Sequence, residues 1–222
     1  METTRKVAGP TPPSRDPAGA PGARQRTARR VRIGAWTLGL LPLALLLWET
    51  ATQGLGSNPI EKVLHHTGWW GLFVLVLSLA VTPLRRWTGV NALIQARRTL
   101  GLFAFFYIAL HVVTYVGLDQ FFAWGYILED VLERPFITVG MLSFLLLLPL
   151  AITSTRGWIR RLGRNWTRLH RLVYPAAILG VIHYIWGVKT EALAPFLFAA
   201  VVALLLGTRL YFAFRKPPRP SP

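Results

Sequence analysis

The side chains in this 222-residue sequence best suited to chemistry are its five histidines: His65, His66, His111, His170 and His183. His111 lies in an apolar run that begins just after Arg97-Arg98, about 13 residues in, or ~20 Å along a helix. His183 lies in a second run that begins near Arg168, about 15 residues in, or ~22 Å. If both runs are helices crossing in the same direction, the two imidazoles stand at one depth. Ionisable groups inside a membrane are costly and point to function. Two neutral imidazoles on neighbouring helices at one level supply what bis-histidine haem ligation requires, with an apolar bundle to solvate the porphyrin. A structural hydrogen bond is the alternative reading for any one of them.

His170 precedes His183 by 13 residues, roughly 20 Å closer to the arginine-rich end. That level suits a second haem, although on an ideal helix the two side chains diverge by ~140°. The matching level on the other run holds Arg97 and Arg98, with Arg97 only ~40° off the face of His111. Either arginine could cover the propionates of an inner haem or stand as an unusual sixth neighbour, and simple charge sorting explains them equally well. For His170 the alternative is a polar interfacial residue.

The chain has no cysteine, which removes disulfides, zinc–thiolate sites, iron–sulfur clusters, c-type haem attachment and a cysteine nucleophile. No phosphate-cradling glycine motif and no internal repeat is apparent. The acids inside or near the spans read as outer-loop residues, so no acid/base or nucleophile constellation forms. Only residues 215–222 follow the last apolar run, too few for a flavin and nicotinamide domain. The expectation is an electron carrier without a substrate-reducing site of its own.

The elements that must position the histidines are membrane spans. Hydrophobic residues make up 53% of the chain, charged residues 15%, and mean hydropathy is +0.41. Soluble domains carry about 25% charge, and a chain this apolar cannot coat itself with polar surface. Six runs reach the ~20 residues needed to cross ~30 Å of hydrocarbon: 33–53, 62–83, 99–118, 136–154, 168–188 and 192–214. The predicted fold is an all-α integral membrane protein, a six-helix bundle over 33–214. It is flanked by a disordered basic tail at 1–32, rich in proline and arginine, and a short tail at 215–222.

Charge sorting orients the bundle. With six spans both termini share a side, and that side holds 22 of the 25 basic residues but only Glu2 and Asp16 of the nine acids. The termini are therefore placed in the cytoplasm. The outer loop at 118–135 carries Asp119, Glu129, Asp130 and Glu133 among Phe121, Phe122, Trp124 and Tyr126. It reads as a docking surface for a soluble protein or as an aromatic belt at the lipid interface. Nucleic acid is not an expected partner, because the basic loops contain no folded reading element.

Several segments taken together resemble the MsrQ (YedZ) family of haem-binding membrane subunits, which belongs with ferric reductase-like and NADPH-oxidase-like transmembrane domains. They are Arg97-Arg98-Thr99-Leu100-Gly101-Leu102, Leu110-His111-Val112-Val113-Thr114-Tyr115, Arg134-Pro135-Phe136-Ile137-Thr138-Val139-Gly140, Thr153-Ser154-Thr155, Arg164 through Tyr174, and Ile182-His183-Tyr184-Ile185-Trp186-Gly187-Val188-Lys189. The resemblance spans roughly 33–214. It implies b-type haem, one or two, held by His111, His170 and His183. It further implies a location in the bacterial inner membrane, electrons from the quinone pool with FMN also attributed to the family, and a periplasmic molybdopterin-containing, MsrP-like subunit that reduces methionine sulfoxide in oxidised proteins. His65 falls on a family histidine and is assigned to a quinone or the outer haem edge, or else to the aromatic belt beside Trp69 and Trp70; His66 has no counterpart. The competing readings are a ferric or quinone reductase with a small-molecule acceptor, and a transporter or structural membrane protein without haem. The orientation is checked directly: a reagent confined to the cytoplasmic side is expected to label the N-terminal tail, and labelling only from outside overturns the sorting.

Overall fold

The computed structural model describes residues 21–188 and 193–214. The outer-loop residues Lys189 and Glu191, and the expected tails at 1–20 and 215–222, lie outside the described residues. Among the described residues all regular structure is helical: α1 (Pro21–Thr52), α2 (Pro59–Thr88), α3 (Ile94–Val113), α4 (Trp124–Glu133), α5 (Pro135–Ile152), α6 (Arg156–Leu162), α7 (Arg164–Leu169), α8 (Val173–Gly187) and α9 (Leu193–Phe214). A 3₁₀ turn, Asn91–Leu93, leads into α3, and a π-helical turn, Thr114–Asp119, extends it. Five helical stretches are long and apolar enough to cross a membrane: Arg24–Thr52, Pro59–Thr88, Asn91–Asp119, Pro135–Ile152 and Leu193–Phe214.

Three expectations change. The helix expected from 33 begins at Pro21, so the last third of the predicted tail is helical. After Gly22 that stretch is mostly alanine, arginine and glutamine, which favour helix, and proline is tolerated in a first turn. The span expected at 168–188 is divided into the end of α7, a 3₁₀ turn at His170–Leu172, and the 15-residue α8. Pro175 explains the break: it has no N–H to give to the Arg171 carbonyl, and restarting the helix at Val173 places it in a first turn where that N–H is not needed. The 118–135 loop contains a helix, α4, which buries Ile127 and leaves Trp124, Tyr126, Leu128 and Leu132 exposed.

The helix α2 forms the centre of the bundle. It starts at Asn58, whose side chain accepts from the Glu61 N–H, and stops at Gly89 in the left-handed conformation, as caps do. Val74, Leu75 and Leu79 are almost fully buried. The most extensive helix–helix packing is between α2 and α3 and between α5 and α8, and these two pairs repeat one another. Gly68, Leu75, Ala104 and His111 of the first pair recur as Gly140, Leu147, Ala176 and His183 of the second, each 72 residues later. Both alanines are fully buried and both leucines nearly so. The absence of a repeat expected from the sequence is thus corrected, since four shared positions among so many generic apolar ones leave no visible signature.

On the other side of α3, α1 is opened by Pro42 and repaired by its neighbours. The buried hydroxyl of Tyr107 donates to the Gly39 carbonyl at 2.6 Å and accepts from the Leu43 N–H at 3.1 Å. It therefore stands between two groups that would otherwise bond each other. His66 Nε2 donates to the Pro42 carbonyl at 3.0 Å, which gives His66 a structural role. Phe103 fills the space left at Gly39, where a Cβ would lie 2.2 Å from its ring. Backbone groups in an apolar medium must be paired, so Tyr107→Phe is expected to lower stability by about 1 kcal/mol. A thermal denaturation series in detergent reads this as a lower midpoint, with α1 loosened from α3.

Candidate haem-binding site

The structure brings His111 and His183 together and leaves the other candidates elsewhere. Their ring centres are 6.1 Å apart, with planes at 77°. Each ring is fastened to the backbone of the helix packed against its own. His111 Nδ1 lies 2.9 Å from the Leu64 carbonyl on α2, and His183 Nδ1 lies 2.7 Å from the Phe136 carbonyl on α5. Both contacts span 47 residues. A carbonyl can only accept, so Nδ1 carries the proton on each ring and Nε2 keeps its lone pair. This is the tautomer of a metal-ligating histidine, with its other ring nitrogen tied to an outer acceptor.

The donor set fits haem rather than a bare ion. Among the described residues no group of three or more His, Asp or Glu side chains is placed to hold a metal, and a porphyrin supplies the four ligands that two imidazoles lack. Two imidazoles sharing one metal ion through bonds of about 2.0–2.1 Å, with the ring radii added, would have ring centres about 6 Å apart, and these two lie at 6.1 Å. The helices allow this because both acceptors are followed, one turn on, by glycine. A Cβ at Gly68 would lie 2.9 Å from His111 Nδ1, and a Cβ at Gly140 would lie 2.6 Å from His183 Nδ1. Neither glycine nor carbonyl was among the residues expected from sequence. The signal that would have found them is the equal Gly-to-His spacing in the two helix pairs.

His170 occupies the opposite, arginine-rich end. It lies in the 3₁₀ turn before α8, so helical-wheel arithmetic from His183 does not apply to it. Its ring stacks on Trp166 at 3.9 Å, and Nδ1 donates to the Trp166 carbonyl at 3.1 Å. Trp166 is itself held by its indole N–H, which donates to the Thr153 carbonyl at 3.0 Å. Among the described residues, His170 Nε2 is buried without a hydrogen-bond partner, as are Thr82 Oγ1 and Arg209 Nε. Arg97 lies within electrostatic range of both His170 and Arg209. Arg98, by contrast, is exposed and lines a groove of about 540 Å³ between α1 and α3 with Trp36, Leu43, Phe103 and Tyr107. The two adjacent arginines therefore separate by position, and Arg97 is the one within electrostatic range of His170. Arg209 was expected only as a topological charge. It bonds the Tyr174 hydroxyl and the Leu79 carbonyl, with its guanidinium 4.9 Å from the Tyr174 ring centre.

His65 is exposed and within electrostatic range of His111, one residue beyond the carbonyl that holds that ring. Immediately after His111, the chain widens into the π turn at Thr114–Asp119, a departure often found at functional sites. It then reverses through Phe121 and Phe122, both with positive φ, an arrangement costly for side chains with a Cβ. The turn is held by Phe122 N–H donating to the Val116 carbonyl at 2.8 Å, and it lays α4 across the bundle end.

Residues 67–181 match the family described as ferric reductase like transmembrane component. Over 186 residues the chain is 50% identical to the protein-methionine-sulfoxide reductase heme-binding subunit MsrQ of Rhodospirillum rubrum, covering 83% of this chain and 89% of that protein. It is 48% identical over 178 residues to the MsrQ subunits of Xanthomonas axonopodis pv. citri and Xanthomonas oryzae pv. oryzae, covering 78% of this chain and 82% of each. The chain belongs to the MsrQ family of ferric reductase-like transmembrane proteins.

Of the acids expected to form a docking face, Asp130 is engaged within the chain. Its carboxylate accepts from the Tyr115 hydroxyl at 2.9 Å and pairs with Arg134 Nε at 3.1 Å, with only 14% of its side chain exposed. Asp130→Asn is expected to cost about 1 kcal/mol by weakening this charge-assisted bond. In a melt followed by α4 proteolysis it shows as earlier cleavage, whereas Glu129→Gln, at an exposed position, leaves cleavage unchanged.

Proposed function

We propose that this chain is the membrane electron-transfer subunit of a methionine sulfoxide reductase system, working through b-type haem. It receives electrons from quinol, or from a flavin donor such as FMN, and delivers them to a periplasmic molybdopterin-containing, MsrP-like catalytic subunit that repairs oxidised periplasmic proteins. The observation that carries this reading is the pair His111 and His183, both with Nδ1 occupied and Nε2 free, at the ring separation a shared metal requires.

Haem, when bound, supplies reversible one-electron iron chemistry. The work of the chain would be to hold and isolate it: His111 and His183 would hold the outer haem through their Nε2 nitrogens, and the surrounding apolar helices would keep water away. His170 is the ligand for an inner haem, supported by the absence of a partner for its Nε2. Arg97 and Arg209 balance the propionates there, and Arg98 faces the α1–α3 groove. His65 lies at the outer rim, toward a quinone or the outer haem edge.

In this reading α8 is a further crossing, the fifth of six along the chain. Its 15 residues rise about 22 Å, and the 3₁₀ turn below it adds about 6 Å, close to the hydrocarbon thickness. Both termini lie in the cytoplasm of a bacterium, the bundle lies in the inner membrane, and α4 faces the periplasm. Glu129 and Glu133, with the exposed Trp124 and Tyr126, are the face of α4 that meets the partner. With Asp130 turned inward, the electrostatic part of docking rests on those two acids. The reduced-minus-oxidised spectrum of His111→Ala and of His183→Ala tests the central assignment. Each is expected to lose the low-spin haem signal, and a wild-type spectrum in both overturns it. Co-purification of a periplasmic reductase separates this function from that of a stand-alone ferric or quinone reductase.

A further inference from the structure

We propose that Gly68 and Gly140 are a matched pair of positioning residues which, with the Leu64 and Phe136 carbonyls, hold the two axial imidazoles near-perpendicular and thereby set the electronic state and potential of the iron. The proposal rests on the bis-histidine reading above and goes beyond it, from which residues ligate to what orients them.

The geometry is the same in both helix pairs. In each, a carbonyl on one helix accepts the Nδ1–H of a histidine 47 residues later, and a glycine one turn beyond that carbonyl leaves bare backbone beneath the ring. An imidazole placed this way has little freedom. The hydrogen bond fixes which edge of the ring faces the neighbouring helix, and the flat left by the glycine fixes how closely it lies there. Because each ring is referred to its own partner helix, the angle between the planes follows from how the two pairs are set in the bundle. That angle is 77°.

Two consequences follow from general coordination chemistry. Each imidazole donates into an iron d orbital chosen by its ring plane. Coplanar rings act on the same orbital and separate the pair energetically; perpendicular rings act on both and leave them nearly equal. A ferric low-spin centre with perpendicular rings therefore gives a strongly anisotropic electron paramagnetic resonance signal with one large g value, instead of the rhombic signal of coplanar rings. Secondly, an Nδ1–H that donates to a carbonyl makes the imidazole more basic, which favours ferric over ferrous iron and lowers the potential. A methyl group added at either glycine would lie within 3.0 Å of Nδ1, closer than van der Waals contact allows, and would lift the ring from its acceptor.

The test uses the full-length protein purified with its haem. The wild-type ferric signal assigned to the His111–His183 haem is expected to be the strongly anisotropic kind. Gly68→Ala and Gly140→Ala are each expected to move it toward a rhombic or high-spin form and to raise the midpoint potential. Gly71→Ala is the control for general crowding: its Cβ would lie 2.7 Å from Ile108, and its nearest neighbours belong to Ile108 and Tyr107. It is expected to lower thermal stability while leaving line shape and potential unchanged. A rhombic wild-type signal overturns the proposal without any variant. So does an unchanged signal and potential in both Gly68→Ala and Gly140→Ala, or a Gly71→Ala variant that shifts them equally. Failure of the bis-histidine reading looks different: low-spin haem would survive in His111→Ala and His183→Ala.

Discussion

The interaction on which this molecule turns is a hydrogen bond from an imidazole Nδ1–H to a main-chain carbonyl of the adjacent helix, made twice. Helical carbonyls already accept one bond and have a second lone pair. Using it needs an approach so close that the acceptor helix must lack a side chain one turn on, which Gly68 and Gly140 satisfy. The bond leaves Nε2 free on both rings and sets their centres 6.1 Å apart with planes at 77°. In a medium with no water to satisfy the second nitrogen, an untethered imidazole would carry the cost of a buried unpaired group. Tethering removes that cost and orients the ligand in one step.

The rest of the bundle serves that placement. Ala104 and Ala176, both fully buried, lie two turns below the histidines and let α3 and α8 approach their partners along their length. Tyr107 and His66 repair the break that Pro42 makes in α1, so that α1 can lie against α3 without an exposed backbone gap. At the arginine-rich end the arrangement differs. There the residue 72 positions before His170 is Arg98, the 3₁₀ turn replaces regular helix, and polar atoms of His170, Thr82 and Arg209 are buried without hydrogen-bond partners. The shared plan thus gives matched surroundings at the His111–His183 end and unmatched ones at the His170 end.

The end of the bundle that carries α4 combines strain with exposed apolar surface. A π turn and two consecutive left-handed phenylalanines lead into α4, which packs on α5, and the Tyr115–Asp130–Arg134 linkage ties it to the π turn.

Much of this was legible in the sequence. Composition and run length define an apolar helical bundle, because nothing else satisfies backbone groups across hydrocarbon. The sorting of arginines and acids defines its two ends. The positions of His111 and His183 along their runs place them at one depth, since rise per residue is constant. Helix bounds were less legible: arginine and alanine continue α1 back to Pro21, and Pro175 divides the fifth run, effects of local propensity that hydropathy does not register. The tertiary structure alone decided what depth cannot express, namely direction. Which of Arg97 and Arg98 faces His170, which carbonyl each histidine meets, and the angle between the rings all depend on how helices rotate about their axes when packed. That rotation is chosen by small residues and by carbonyls present in every helix. The equal spacing of Gly68 to His111 and of Gly140 to His183 is written in the sequence, but which carbonyl each ring meets is settled only when the neighbouring helix is in place.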